Sequence, residues 1–418
     1  MTENGRMAGT VRSVQLDMEP ACIGFCPETP EYFVMGSWHL VEDKPESCSH
    51  TGDAPQPTKK QKHEGSIDVY RLIGDEITKI QTEAHPTCAI WDLEFQPHAG
   101  RRDVFAAGTS AGTVLVYRVA AADSPTAPLK QLLTIGPISA DDEVMITKCC
   151  WHPTVLGLLA FSTLAGDVHL ARLRETDDGG FAVAAMTRTA LLTHTEPAWT
   201  VAFGPATPAL VVYSGGDDSA LRYVACAPKE DDDDDGPFAN VCDAVAMQRG
   251  PHEAGVVAIL PLGVKLSSGH DVVVTGSYDD RVRVLAVLPP QLACGAPQYR
   301  VLAEAHVGGG AWRLRLVSFA VSEADNNGTN NGTRAWRVRL LAPCMSAGSR
   351  ALEVRGVDGL GGWEVEVLGG WVEAGEGDRM LNYGADFQPG AGTAGGEDGP
   401  LTCVSTSFYS KMLYLWRF

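Results

Sequence analysis

The sequence predicts an all-β fold, a seven-bladed propeller, and three observations carry that reading. First, His194–Tyr223 runs from a polar opening through an alternating stretch ending Phe203-Gly204-Pro205, a second apolar stretch, a Gly215-Gly216-Asp217-Asp218 turn and a third stretch. That order is strand, loop, strand, hairpin turn, strand, and the template returns at intervals of roughly 50 residues, the spacing of propeller blades. Second, the links between copies carry a further strand, as in Glu76–Ile80, Leu129–Leu133 and Ala182–Met186, which makes each unit four-stranded. Third, the last copy ends on a third strand, Leu413–Phe418, while Thr10–Leu16 alternates well enough to supply the missing outer one. Closing the ring with that N-terminal strand removes the open edges that would otherwise pair with other chains.

Taken in order, the first copy uses Cys22–Pro27, Tyr32–Ser37 and Gly65–Tyr70, interrupted by a polar insert over 43–64. The second uses Ile90–Pro97, Val104–Ser110 and Gly112–Tyr117; the third covers Ile146–Leu173, with its turn at Gly166-Asp167. His194–Tyr223 is the fourth, and the fifth spans His252–Leu288 around a Thr275–Asp280 turn. The sixth spans Gly308–Val354, split by Asp325–Thr333, and the seventh runs from Asn382–Pro389 to Phe418. The expected blades are 10–72, 84–135, 141–187, 194–245, 251–303, 308–368 and 381–418 of one domain, with polar inserts at 43–64, 228–240 and 323–334. The acidic run Asp231–Asp235 reads as a solvated loop, because consecutive like charges repel and point outward.

Composition narrows the partners. The 418 residues are 44% hydrophobic, enough for a large core, and the 45 glycines and 25 prolines suit many short strands joined by turns. A formal charge of −19 repels nucleic acid and anionic lipid and attracts cationic groups. Met1–Arg6 lacks the apolar core of a signal peptide, and no apolar run approaches the ~20 residues needed to span a bilayer. The 11 cysteines, without a repeated Cys-x-x-Cys pair, read as reduced, mostly buried thiols of a cytoplasmic or nuclear protein. The residues suggest no metal site and no cofactor.

Gly108-Thr109-Ser110-Ala111-Gly112 matches a nucleophile-elbow pattern, but a strand follows it where that elbow needs a helix, so the glycines are read as hairpin residues. His85, His194, Asp217, Asp218, Asp279 and Asp280 fall in turns on one rim. Two roles fit them: satisfying turn backbone groups, or forming a general base with nearby carboxylates. Aligning the innermost strands on their Phe-x-Pro ends gives a column at one level: Ala21, Trp91, Thr147, Trp199, Val256, Trp312 and Tyr383. These rings either pack between blades or line the channel mouth, where cation–π attraction would hold a methylated ammonium group. Glu196 and Asp386 would add negative charge there.

Ser214-Gly-Gly-Asp-Asp218 with Leu221-Arg222, Thr275-Gly-Ser-Tyr-Asp-Asp280, Gly310-Ala-Trp-Arg-Leu314, Tyr383-Gly-Ala-Asp386 and Ser407-Phe-Tyr-Ser410 resemble, in order and spacing, the WD-repeat diphthine methyl ester hydrolases of diphthamide biosynthesis, also called diphthine methyltransferases. The likeness covers blades four to seven, about half the chain. It implies a cytoplasmic carboxylic ester hydrolase acting on translation elongation factor 2, where a modified histidine carries a trimethylammonium and a methyl ester. Hydrolysis would give diphthine for the final amidation. On that reading His194 is the expected base for water attack, oriented by Glu196 or Asp217, with Ser277 and Tyr278 polarising the ester. Ser277 as a covalent nucleophile is the second option. Trp91, Trp199, Trp312, Tyr383 and Asp386 would bind the substrate. The competing class is a non-catalytic WD-repeat scaffold for protein complexes. A methyl transferase is disfavoured, because no βαβ unit with a Gly-rich turn is present to hold a methyl donor.

Overall fold

In the computed structural model, described over residues 6–41, 61–138, 144–205, 210–228, 238–240, 245–247, 250–293, 299–324, 333–374, 380–390 and 399–418, the chain forms seven antiparallel blades. Two short strands come first, β1 (Arg6–Met7) and β2 (Thr10–Gln15). Blade one holds β3 (Glu19–Phe25), β4 (Tyr32–Val41), β5 (Lys62–Ile73) and β6 (Glu76–His85). Blade two holds β7 (Ile90–Phe95), β8 (Val104–Thr109), β9 (Val114–Val119) and β10 (Leu129–Ile135). Blade three holds β11 (Ile146–Trp151), β12 (Leu158–Thr163), β13 (Asp167–Glu175) and β14 (Phe181–Met186), with β15 (Leu192–Thr193) on its outer side. Blade four holds β16 (Ala198–Phe203), β17 (Leu210–Gly216), β18 (Leu221–Pro228), β19 (Phe238–Asn240) and β20 (Val245–Met247). Blade five holds β21 (Val256–Lys265), β22 (Asp271–Ser277), β23 (Arg281–Val287) and β24 (Tyr299–His306), with the short helix α1 (Pro290–Ala293) before the last. Blade six holds β25 (Arg315–Ala324), β26 (Thr333–Pro343), β27 (Ser349–Val357) and β28 (Glu364–Trp371), and blade seven β29 (Ala385–Phe387), β30 (Thr402–Ser407) and β31 (Met412–Arg417).

The ring closes as the alternation of Thr10–Gln15 requires: β2 pairs antiparallel with β31, Thr10 opposite Trp416 and Gln15 opposite Met412. Ahead of it, β1 pairs in parallel with β28, Arg6 opposite Gly369, so blade six gains a fifth strand that the sequence pattern did not suggest. Blade one therefore runs over 19–85 instead of 10–72, because residues 10–15 belong to blade seven and Glu76–His85 is its own outer strand. Blade six reaches Trp371. The insert expected at 43–64 gives way to strand at Lys62. Most of it, with Asp231–Asp235 and most of the 228–240 and 323–334 inserts, lies outside the described residues.

Among the described residues, seven apolar clusters hold the ring, each shared by two adjacent blades. Val34, Ile67, Leu93 and Phe105 join blades one and two, and Leu341, Trp371, Cys403 and Trp416 join six and seven. Such packing pulls each inner strand against the next blade, and small residues permit it. A β-carbon at Gly108 would lie 2.7 Å from Ile146 Cγ2, and one at Gly215 2.7 Å from Val256 Cβ. In the elbow-like pattern Gly112 takes φ +72°, Ser110 Oγ accepts from Ala89 N–H at 2.9 Å, and Val114 starts a strand. Ser110 is a turn residue.

Candidate functional site at the channel mouth

The innermost strands are antiparallel to their neighbours and twist about the axis, so residues at equal distance from the Phe-x-Pro ends meet at one level. Trp91 lies 6.1 Å from Trp199, 6.0 Å from Trp312 and 5.6 Å from Tyr383, measured between ring centroids. Trp199 and Trp312 are 5.5 Å apart, Trp312 and Tyr383 4.9 Å. Tyr278 joins at 6.0 Å from Trp312, and Phe408 at 5.4 Å from Tyr383. Trp312 is the buried hub, and Trp91, Trp199, Tyr278 and Tyr383 around it are half-buried. The other three column members, Ala21, Thr147 and Val256, are buried. Burial, with Asp217 and Tyr383 nearby, raises the Tyr278 phenol, and burial beside Tyr409 pushes Tyr383 up to about 12, so both rings are neutral hydrogen-bond donors. The indole N–H groups of Trp91 and Trp199 are buried and find no acceptor. An unpaired buried donor costs about 1–3 kcal/mol, so two at one mouth mark a place where a ligand would be welcome.

Beneath the rings the channel is ionic. Asp92 accepts from Arg313 Nη2 at 3.1 Å, Lys148 Nζ at 3.1 Å and Cys149 N–H at 2.8 Å. Glu94 accepts from Lys148 Nζ at 3.0 Å and Arg315 Nη1 at 2.9 Å. Burial would raise Glu94, but Lys148 and Arg315 outweigh it and hold its pKa at about 2. The Arg313 guanidinium lies 4.8 Å from the Trp312 ring, so the buried face of the hub already carries a cation. On the far side, Glu94, Lys148, Arg313 and Arg315 border a cavity of about 200 Å³.

The structure separates the expected catalytic residues. His194 is buried and both ring nitrogens are engaged: Nδ1 donates to Asp218 Oδ1 at 2.9 Å, and Nε2 accepts from Ser214 Oγ at 2.7 Å. The orienting acid is Asp218, not Asp217 or Glu196. Asp218 also accepts from Ala220 N–H at 3.1 Å and Arg222 Nη2 at 3.1 Å. Blade five carries a partial copy: His252 Nε2 lies 2.9 Å from Thr275 Oγ1 and Asp279 accepts from Glu253 N–H and Arg283, but no described group bonds His252 Nδ1. The bond from the histidine Nε2 to a strand hydroxyl fastens both turns, and His194, with both nitrogens occupied, has no lone pair to offer. Glu196 is exposed.

Ser277 is fully buried, donates to Ala254 O at 3.1 Å and accepts from Asp279 N–H at 3.2 Å. Among the described residues no histidine bonds it, so none of them activates it as a nucleophile. Asp217 is exposed at the rim beside Tyr278: a β-carbon at Gly255 would fall 2.8 Å from Asp217 Oδ1 and 3.0 Å from a Tyr278 ring carbon. Asp386 sits below the mouth, its carboxylate accepting from Phe25 N–H at 2.8 Å and Phe387 N–H at 2.9 Å. Three residues along a strand is ~10 Å, which takes it from Tyr383 down towards Arg315. Among the described residues, no group of three or more His, Cys, Asp and Glu side chains converges on a point where a metal would bind.

Two features were missed from the sequence. The ionic channel shows as charges two apart on inner strands, Asp92 with Glu94 and Arg313 with Arg315, a period that puts each pair on one face. The other is the overhang of blade one, where the long β4–β5 pair carries Trp38 and His63 against the mouth: Trp38 is 5.1 Å from Trp91 and 4.4 Å from His63.

No protein-family model and no curated protein matches the chain. Solved structures do, over nearly all of it. A chain of the mitotic checkpoint complex matches with TM-score 0.54 at 11% identity, covering 100% of this chain and 94% of that one. Saccharomyces cerevisiae Sqt1 matches with TM-score 0.54 at 13% identity over 99% and 100% of the two chains. Chaetomium thermophilum Sqt1, bound to the N-terminus of ribosomal protein L10, matches with TM-score 0.54 at 13% identity over 98% and 100%. At such identities the likeness shows the fold alone, the seven-bladed propeller of WD-repeat proteins.

Proposed function

We propose that this WD-repeat propeller hydrolyses the methyl ester of methylated diphthine on translation elongation factor 2, leaving diphthine for amidation. The observation that carries the reading is the aromatic mouth: three tryptophans and two tyrosines meet on one rim of a chain of formal charge −19. Half-buried rings clustered in this way attract a trimethylammonium group, and the acidic surface favours its approach. The motif resemblance over blades four to seven supplies the substrate. Trp91, Trp199, Tyr278 and Tyr383 hold the ammonium. Asp217, exposed beside Tyr278, adds charge at the rim. His194, Glu196, Ser277 and Asp386 serve the fold or the surface in this scheme.

The test is intact mass of elongation factor 2 carrying methylated diphthine, with this protein at a hundredth of its concentration. The expected result is complete loss of about 14 Da, the mass of one methylene, with methanol released. Trp199→Ala should raise the half-saturating substrate concentration roughly three- to thirtyfold, the value of one cation–π contact.

A second reading, a propeller that binds protein without turnover, is favoured by one observation: the histidines and serines expected to act are tied into turns. Sqt1, of the same fold, is seen bound to a ribosomal-protein N-terminus. Unchanged mass alongside stoichiometric binding would establish this reading instead.

A further inference from the structure

Resting on the esterase reading, we infer that His63 is the general base of this site. In blade one, β4 and β5 are 10 and 12 residues long, whereas the corresponding strands of blade two have 6 each. The additional length, where Leu40 pairs with His63, lies at the turn end, on the same side as the mouth. Side chains on one face of a sheet meet diagonally across strands. Trp38 and His63 do so with ring centroids 4.4 Å apart, and Trp38 in turn meets Trp91 at 5.1 Å. The imidazole is thereby part of the aromatic assembly.

What distinguishes it from His194 is its freedom. Nδ1 of His63 is sealed from solvent without a hydrogen-bond partner, whereas Nε2 is not sealed and, among the described residues, no group bonds it, which leaves Nε2 as the nitrogen that can meet a water molecule. Burial lowers its pKa, which keeps the ring neutral and able to accept a proton at neutral pH. His194 is bonded through both nitrogens, and on His152 and His252 the nitrogen left unbonded, Nε2 and Nδ1 respectively, is sealed inside the protein. A base needs both an open lone pair and a place near the reacting carbonyl, and His63 has the lone pair at the mouth's edge.

The step balances without a co-reactant. His63 takes one proton from a water molecule as the water oxygen bonds to the ester carbonyl carbon. The tetrahedral intermediate then breaks its bond to the methoxy oxygen, which receives the same proton from the imidazolium and leaves as methanol. The acid formed releases the second proton to solvent, and the ring returns to neutral.

The experiment compares the native chain with His63→Ala and His63→Asn on modified elongation factor 2, following the 14 Da loss and adding imidazole to the alanine variant. The expected result is a fall in kcat of roughly 10²–10⁴-fold in both variants. The half-saturating concentration should stay within about threefold, and imidazole should restore part of the rate to the alanine variant. Unaltered circular dichroism and melting would show that the fold is intact. Turnover retained within about threefold in either variant overturns the assignment while leaving the esterase standing. A rate lost without imidazole rescue and with a lowered melting point marks a structural role and overturns it too. No turnover by the native chain overturns the esterase and the base together.

Discussion

At the residue scale, the contrast between His194 and His63 shows how a side chain's partners decide its chemistry. His194 is held by Asp218 and Ser214, and its replacement should act on stability. His194→Ala leaves Ser214 Oγ without its partner and takes one of the bonds that Asp218 accepts, the others coming from Ala220 and Arg222, at a cost of about 1–3 kcal/mol by urea unfolding. The folded fraction should retain turnover. The buried His152 and His252 give a pH dependence with a definite sign. Burial, reinforced by His98 in one case and Arg283 in the other, lowers each to about 4. Their ordinary value near 6.5 applies in the unfolded chain. The unfolded state therefore binds protons first as pH falls, so stability is full above pH ~6.5 and declines down to about 4. Each would contribute roughly 1–3 kcal/mol of loss across that window, and unfolding midpoints at pH 7 and pH 5 measure it. His252→Asn should flatten the slope. Glu94 acts lower: with its pKa at about 2 against an ordinary 4.5, its share is present above pH ~4.5 and lost only towards 2.

At the element scale, much of the ring was legible. The alternation of Thr10–Leu16 pointed to the closure that β2 and β31 make. The aromatic level was legible because Phe-x-Pro ends give every inner strand the same origin. The finer choice between Asp217 and Asp218 was not, since adjacent acids in a Gly-Gly-Asp-Asp turn differ only in where the turn's backbone aims them. His63 was hidden for another reason. Its neighbours Lys60, Lys62 and Glu64 read as loop, and only pairing with Leu40 makes that segment strand. Closure has its own consequence. Deleting residues 1–15 removes β1 and β2, the hydrogen bond from Trp371 Nε1 to Thr10 Oγ1 and the cover of β31's outer edge. The melting midpoint should drop by about 5 °C or more, and size-exclusion chromatography should show association through the exposed strand.

At the scale of the whole molecule, the blades do two jobs at different depths of one channel. Lower down, Asp92, Glu94, Lys148, Arg313 and Arg315 tie inner strands of blades two, three and six across the axis. Lys148→Met leaves Asp92 and Glu94 short of a cation in a buried place and should cost about 3 kcal/mol of stability. At the top, the inner strands bring half-buried aromatic residues together around Trp312, beside Trp38 and His63. Counted with Asp386, which lies beside Arg315, the channel sets three carboxylates against three cations, and the aromatic mouth above it is the place where a cationic group would settle. The most direct measurement is therefore the affinity of the purified chain for a trimethylammonium amino-acid methyl ester and for its neutral tert-butyl isostere, read by tryptophan fluorescence. The account expects the cationic ligand to bind roughly three- to thirtyfold tighter, with the preference collapsing in Trp199→Ala. Equal affinity for the two ligands would contradict it.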